Sequence, residues 1–379
     1  MHLSVGSFHR SHQAVYFDEL ARQGVTDWGV TGVGLRRHEM HEALAPQDWL
    51  YTVVERGDGP DRARVVGVMG DYLFGPEDPA AVVDALADAR TRLVTLTVTG
   101  DGYETSGAPH SAVALLVAGL EARHRAGRPP FTVLSCDNLP ANGDVARDAV
   151  LTVAERRDPR LARWIERHGA FPSSMVDRIT PMTTDEDRRR LAETFGVEDR
   201  WPVVTEPYSE WIVEDQFCDG RPPLDEVGVR FVADVRPYTL IKTRLLNATH
   251  CALGHLGSLA GHTTTDGAMA DPLLAAYIER LTRDEILPLL PRVPGLDLEP
   301  YRQSVLARLR NPKIGDQLAR LCRNHASKVA RHLVPSIEET RRLGRPHPLL
   351  SLAAATDVDP DAVRARIAEA LGAGARLAA

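Results

Sequence analysis

The stretch Lys242-Thr-Arg-Leu-Leu-Asn247-Ala-Thr-His250 sets an amine, an amide and an imidazole at positions i, i+5 and i+8. Wound as an α-helix at about 100° per residue, it puts Asn247 roughly 140° and His250 roughly 80° round from Lys242. The three then share one face, padded by Leu245, Leu246, Ala248 and Leu253. A base, an amide that can hold an oxygen and a second polar handle beside apolar neighbours suit proton transfer on a hydroxyl or carbonyl. To act as a base near neutral pH, a lysine must fall from ~10.4 to about 7–8, roughly 4 kcal/mol of destabilised charge. Burial and nearby cations supply such a shift. The same spacing also suits an amphipathic helix with its polar residues in water.

Other segments offer binding chemistry. Ser4-Val-Gly6-Ser-Phe8-His9-Arg10 lies between a short apolar strand and a helix, the place of a Rossmann phosphate turn. Gly6, Phe8 and Arg10 are its candidate cofactor residues; a tight turn needing one glycine would look the same. Glu39 follows the second strand, where an acid would accept hydrogen bonds from a ribose and favour NAD. Its neighbours Arg36 and Arg37 could instead meet the 2′-phosphate of NADP. Asn138 follows a buried strand ending at Ser135-Cys136-Asp137, and its amide could hold a substrate oxygen or close an Asx turn. Asp177 is an acid in an apolar stretch, beside a ready ion-pair partner in Arg178. His9-x-x-His12, and His250 with Cys251 or His255, could start a metal site. None has further ligands at useful spacing, so no metal is expected.

The elements that must position these groups change character along the chain. Residues 1–170 alternate apolar β segments with helices: a strand at 1–6, Trp28 to Leu35, a hairpin around Gly57 to Pro60, Arg92 to Thr99, and Phe131 to Cys136. Continuous apolar strands between helices predict a parallel sheet covered on both faces. Residues 171–379 read as a second, substrate-binding domain. Within it, 171–236 is a strand-containing connection and 237–379 is helical, with Asp359-Pro360 starting the last helix and Gly372 ending it. The expected class is α/β: a Rossmann-like dinucleotide domain followed by a mainly α-helical C-terminal domain.

Composition narrows the function. The 379 residues carry 43% apolar and 26% charged side chains and a net charge of −7, with no basic stripe, so nucleic acid is not an expected partner. No apolar run has membrane-spanning length and no secretory signal pattern opens the chain. The four cysteines are scattered and read as reduced thiols of a cytoplasmic protein.

These segments together resemble the polyol-specific long-chain dehydrogenases, the mannitol 2-dehydrogenase and fructuronate reductase family. The matching stretches run in order from Val5–Tyr16 through Trp28–Leu35, Ser135–Pro140, Phe171–Thr184, Pro202–Phe217 and Lys242–Gly261 to Asp316–Arg320 with Ser327-Lys328. The resemblance implies a zinc-independent, NAD(P)-linked interconversion of a secondary alcohol and a ketone on an acyclic polyol or sugar acid, in a protein that is often a monomer. It makes Lys242 the general base and Asn138 and Asn247 the amides on the reacting oxygen. His250, Asp177, Arg320 and Lys328 then hold substrate. Mannitol/fructose and mannonate/fructuronate or tagaturonate are rival substrate pairs within it. A degenerate homologue that binds without turnover is the reading from another class. Three departures accompany the match. Ser4 stands in place of the first turn glycine. Thr239 stands where mannitol dehydrogenases carry a proton-relaying acid. The chain begins almost at the first strand and matches poorly from about 335.

Overall fold

The computed structural model describes residues 1–377. The chain divides into two compact units, Met1–Arg236 and Pro237–Ala379. In the first, the strands are β1 (His2–Leu3), β2 (Val30–Gly34), β3 (Tyr51–Glu55), β4 (Arg62–Val66), β5 (Met69–Phe74), β6 (Leu93–Leu96), β7 (Thr132–Ser135), β8 (Ser174–Asp177), β9 (Val203–Thr205), β10 (Glu210–Glu214) and β11 (Arg230–Val232).

The main sheet has the order β5-β2-β1-β6-β7 and every pairing is parallel. Its strands are apolar on both faces. Val94, Leu96 and Val133 enter one core with the helices Pro79–Ala87, Ala112–Arg125 and Asn142–Arg157. Leu93 and Leu134 enter the other with Ala14, Phe17 and Leu20 of the helix Gln13–Arg22. Alternate residues thus face opposite helix layers, which is why the runs are continuously apolar. From β1 the chain passes to β2 on one side and later to β6 on the other. The turn after β1 therefore lies at the topological switch point, where ligands of open α/β sheets bind.

The expected hairpin forms, with Tyr51 of β3 opposite Val66 of β4. β9 adds to β3 in parallel, while β8 and β11 flank β10 in a third sheet. These pairings tie 171–236 into the first unit. The composition change near 170 suggested a boundary there, but strand pairing to β3 moves it to Arg236/Pro237.

The second unit is helical and centred on Ala248–Leu259, which buries Ala248, Cys251, Ala252, Leu253, Leu256 and both its glycines. A Cβ on Gly254 would come within 2.9 Å of the Leu321 Cβ, and one on Gly257 within 2.9 Å of a Leu318 methyl. Glycine is needed there so that the short helix Leu318–Leu321 can press against the central one. Within the region 237–379 read as helical, that helix is only four residues long. His325–His332, Val334–Arg342 and Pro348–Ala354 follow it. The last helix starts at Val363 rather than Pro360, because Asp359 and Pro360 close turns with Ala362 and Val363, and it runs past Gly372 to Leu377.

Candidate functional site

The first unit supplies a turn and two strand ends. Ser4 has φ +73°, a left-handed conformation that glycine adopts freely and other residues at a cost of about 1–2 kcal/mol. Its N–H donates to the Val33 carbonyl (2.8 Å), and its own carbonyl accepts from the Thr97 hydroxyl (2.9 Å). The turn after β1 is thus made despite the missing glycine. Gly6 opens the helix Ser7–Ser11 with no side-chain cap, and a Cβ there would touch only the Ser4 carbonyl, at 4.0 Å. Phe8 is half-buried and stacks on His12.

Arg10 differs from its expected role at the cofactor. It is fully buried, donates to the Trp201 carbonyl and lies 5.2 Å from the centre of the Tyr51 ring, whose hydroxyl donates to the Arg10 carbonyl. It braces the turn from the interior. His9, beside it, stacks on His2 and is held down to about 3, mainly by burial. Glu39 is exposed and begins the helix Glu39–Leu44 just beyond β2; Arg36 and Arg37 are exposed before it.

At the end of β7, Asp137 is buried and accepts from the Thr99 N–H (2.7 Å), the Val98 N–H (3.2 Å) and the Tyr103 hydroxyl (2.7 Å). It laces the ends of β6 and β7 together. Burial pushes its carboxyl up, against those donors. Asn138 follows it and is exposed. Asn142 is a residue that sequence reasoning missed. Its buried amide donates to the carbonyls of Asp137 and Ser174 (both 2.9 Å) and accepts from the Ser174 N–H (2.9 Å). It joins the end of β7 to β8, which carries Asp177, buried and in register with Glu210. Arg178 forms an ion pair with Glu55 (2.5 Å).

The second unit carries the amine. Lys242 ends the helix Arg236–Lys242 and is 7% exposed. It is followed by a π-helical turn, Thr243–Asn247, before Ala248–Leu259. That turn corrects the helical-wheel reading. In a π-turn the backbone bonds run i→i+5, so residues five apart lie closer together round the axis than on an α-helix. Lys242 and Asn247, some 140° apart on an α-helix, are thereby brought towards one side. His250 stands half-buried on the next turn.

The helix His325–His332 packs on the π-turn and on the central helix. His332, also missed from sequence, is held neutral, at about 4, first by burial and then by the positive charges of Arg331, Lys242 and Lys328. His325 stacks on His255 at 4.4 Å, and its Nδ1 is 3.9 Å from the Cys251 Sγ. Lys328 is lowered by burial and by Arg320, and its ammonium donates to the carbonyls of Leu321 (2.7 Å) and Arg320 (3.3 Å). Arg320 forms a two-pronged pair with Asp316, with Nε to Oδ1 at 2.8 Å. Lys242, His332, Lys328 and Arg320 thus form one basic neighbourhood. The signal available in the sequence was the spacing Arg320–Lys328–His332, eight and then four residues apart on helical segments. Among the described residues, no group of three His, Cys, Asp or Glu side chains is placed to hold a metal ion. No described helix is long and apolar enough to cross a membrane.

Comparison with known proteins follows this geometry. The family model for the mannitol dehydrogenase Rossmann domain matches residues 1–226, and that for the mannitol dehydrogenase C-terminal domain matches 234–359. Mannitol 2-dehydrogenase of Aspergillus clavatus is 43% identical over 367 residues, covering 89% of this chain and 73% of the relative. That of Phaeosphaeria nodorum is 43% identical over 381 residues, covering 94% and 67%. Among solved structures, Pseudomonas fluorescens mannitol 2-dehydrogenase in a ternary complex with NAD and D-mannitol superposes with a TM-score of 0.86. It is 40% identical and is covered to 76%, by 93% of this chain. A substrate-free D-sorbitol dehydrogenase gives 0.87 at 36% identity, covered to 79%, by 98% of this chain.

Proposed function

The chain belongs to the mannitol dehydrogenase family, and from that premise we propose that it interconverts a secondary alcohol and a ketone on an acyclic polyol. The cofactor is NAD(H), Lys242 is the general base and no metal takes part. The nicotinamide, when bound, takes up or returns the hydride. The chain's own residues handle the proton and the oxygen. Lys242 removes the hydroxyl proton as the carbonyl forms, and returns it in the reverse direction. Asn247 and Asn138 donate to the oxygen as charge develops on it. Asp177, His250, Arg320 and Lys328 hold the remaining hydroxyls.

One observation supports the reading: a nearly buried lysine stands directly before a π-turn that ends at Asn247. A base at neutral pH requires an environment that disfavours the charged amine, and the low exposure of Lys242 is in keeping with that role. Two of the expected cofactor residues, Gly6 and Glu39, are in keeping with that part. Gly6 lies at the switch point with an uncapped helix start and open space where a side chain would stand. Glu39 is exposed just past β2, where a carboxylate disfavours a 2′-phosphate by charge. The proposed state in solution is a monomer. The test is NADH and NADPH oxidation with fructose, fructuronate and tagaturonate, before and after dialysis against a strong chelator. Chelator-resistant turnover of at least one ketone, faster with NADH, is the expected result. Binding of cofactor without turnover of any would leave a non-catalytic homologue, and loss of activity restored by zinc would remove the metal-free mechanism.

A further inference from the structure

The expected substrate-holding cations of the second unit are already engaged within the protein. The Arg320 guanidinium spends Nε and Nη2 on the two oxygens of Asp316. The Asp316 side chain is 3% exposed, that of Arg320 42%, so the acid is the fixed member of the pair. The backbone on either side is pinned as well: the Asp316 carbonyl accepts from the Thr265 N–H (3.0 Å), and the Leu318 N–H donates to the Thr263 carbonyl (2.9 Å). Lys328 spends two of its three donors on the carbonyls of Leu321 and Arg320. A bidentate carboxylate both orients a guanidinium and cancels its charge. His332, on the same helix as Lys328, is kept neutral by burial and by the surrounding cations.

We propose that Asp316 is a positioning and specificity-determining residue: by fixing Arg320 in a charge-neutral pair, it presents donors suited to the hydroxyls of an uncharged polyol and disfavours a substrate that ends in a carboxylate. The inference rests on the proposed roles of Arg320 and Lys328. A sugar acid would have to displace Asp316 from the guanidinium or lie beside it, like charge against like. An uncharged hydroxyl needs neither, since the unspent N–H groups of Arg320 and Lys328 remain donors.

The test compares kcat/KM for fructose and fructuronate with NADH in the wild type, Asp316→Asn, Asp316→Glu and Arg320→Lys. The wild type is expected to prefer fructose at least tenfold. Asp316→Asn, which leaves the guanidinium charge uncompensated, should lower that ratio at least tenfold. It should do so by raising KM for fructose and lowering it for fructuronate, with kcat changed less than threefold. Asp316→Glu should restore most of the preference. Arg320→Lys, which loses the two-pronged geometry but not the charge, should lower it too and serves if Asp316→Asn does not fold. A wild-type ratio near one, or an unchanged ratio in a folded Asp316→Asn or Arg320→Lys, overturns this inference while leaving the proposed dehydrogenase intact. Turnover of neither ketone, nor of tagaturonate, overturns both.

Discussion

The two units hold their candidate groups by opposite electrostatic means. In the first, buried acids and amides are saturated with backbone donors and acceptors: Asp137 laces β6 to β7, and Asn142 joins β7 to β8. These groups hold strand ends in place so that Asn138 and Asp177 sit at fixed positions. In the second, basic groups gather around a π-turn; burial and neighbouring charge keep His332 neutral and lower Lys328. A frame that must stay still is well served by satisfied hydrogen bonds, since each broken one leaves a buried polar group unpaired. A group that must give and take a proton is served by an environment that disfavours its charged form.

The sharpest way to break this contrast is Lys242→Ala. It should lower kcat about 10²–10⁴-fold while NADH affinity, a property assigned to the first unit, stays within a few-fold. Stopped-flow turnover and fluorescence titration read the two separately. Retained turnover with lost NADH binding would put Lys242 on the cofactor side of the division.

Asn142→Ala tests the frame. It removes three hydrogen bonds and strands the Ser174 N–H in the interior, a loss of about 2–3 kcal/mol. Chemical denaturation should show that loss. An unchanged midpoint would mean the lacing of β7 to β8 is dispensable.

Acid separates the units more finely. His9 and His332 are neutral bases whose folded values, about 3 and about 4, lie below the unfolded value of about 6.5. A depressed base binds fewer protons folded than unfolded. Its contribution is therefore complete above pH 6.5 and is lost as pH falls. The part due to His332 is spent by about pH 4, and that due to His9 continues to about pH 3. Compared with wild type, His332→Asn should flatten the fall in thermal midpoint between pH 6.5 and 4 and leave the fall below pH 4. An identical profile would show that His332 is exposed to solvent protons when folded.

The smallest expected effect is at the turn after β1. Ser4→Gly relieves a left-handed residue, and the gain is reduced by the extra freedom of glycine in the unfolded chain, leaving about 0.5–1 kcal/mol of added stability. A destabilised Ser4→Gly would mean that the serine side chain makes a contact worth more than the strain.

The sequence by itself determined what depends on local pattern. Apolar runs at Leu93–Leu96 and Thr132–Ser135 have one good use, in a sheet covered on both faces, and the Gly57–Pro60 turn folds its neighbours into a hairpin. It also brought out Lys242, Asn247 and His250 as chemistry carried on one helical segment. It did not determine how that segment winds. An α-helical wheel and a π-turn fit the same residues; the folded chain has the second, with the helix His325–His332 packed on it. Nor could it assign Arg10, a cation beside a phosphate-type turn whose charge the tertiary structure spends on Trp201 and Tyr51 instead. The membership of 171–236 was decided by β9 pairing with β3, some 150 residues earlier in the chain. Asn142 and His332 had no local signal of importance, because an amide or an imidazole acquires its role from the groups the fold brings to it. Hydrophobic period and turn chemistry are properties of neighbours in sequence; hydrogen-bond satisfaction, burial and charge compensation belong to neighbours in space.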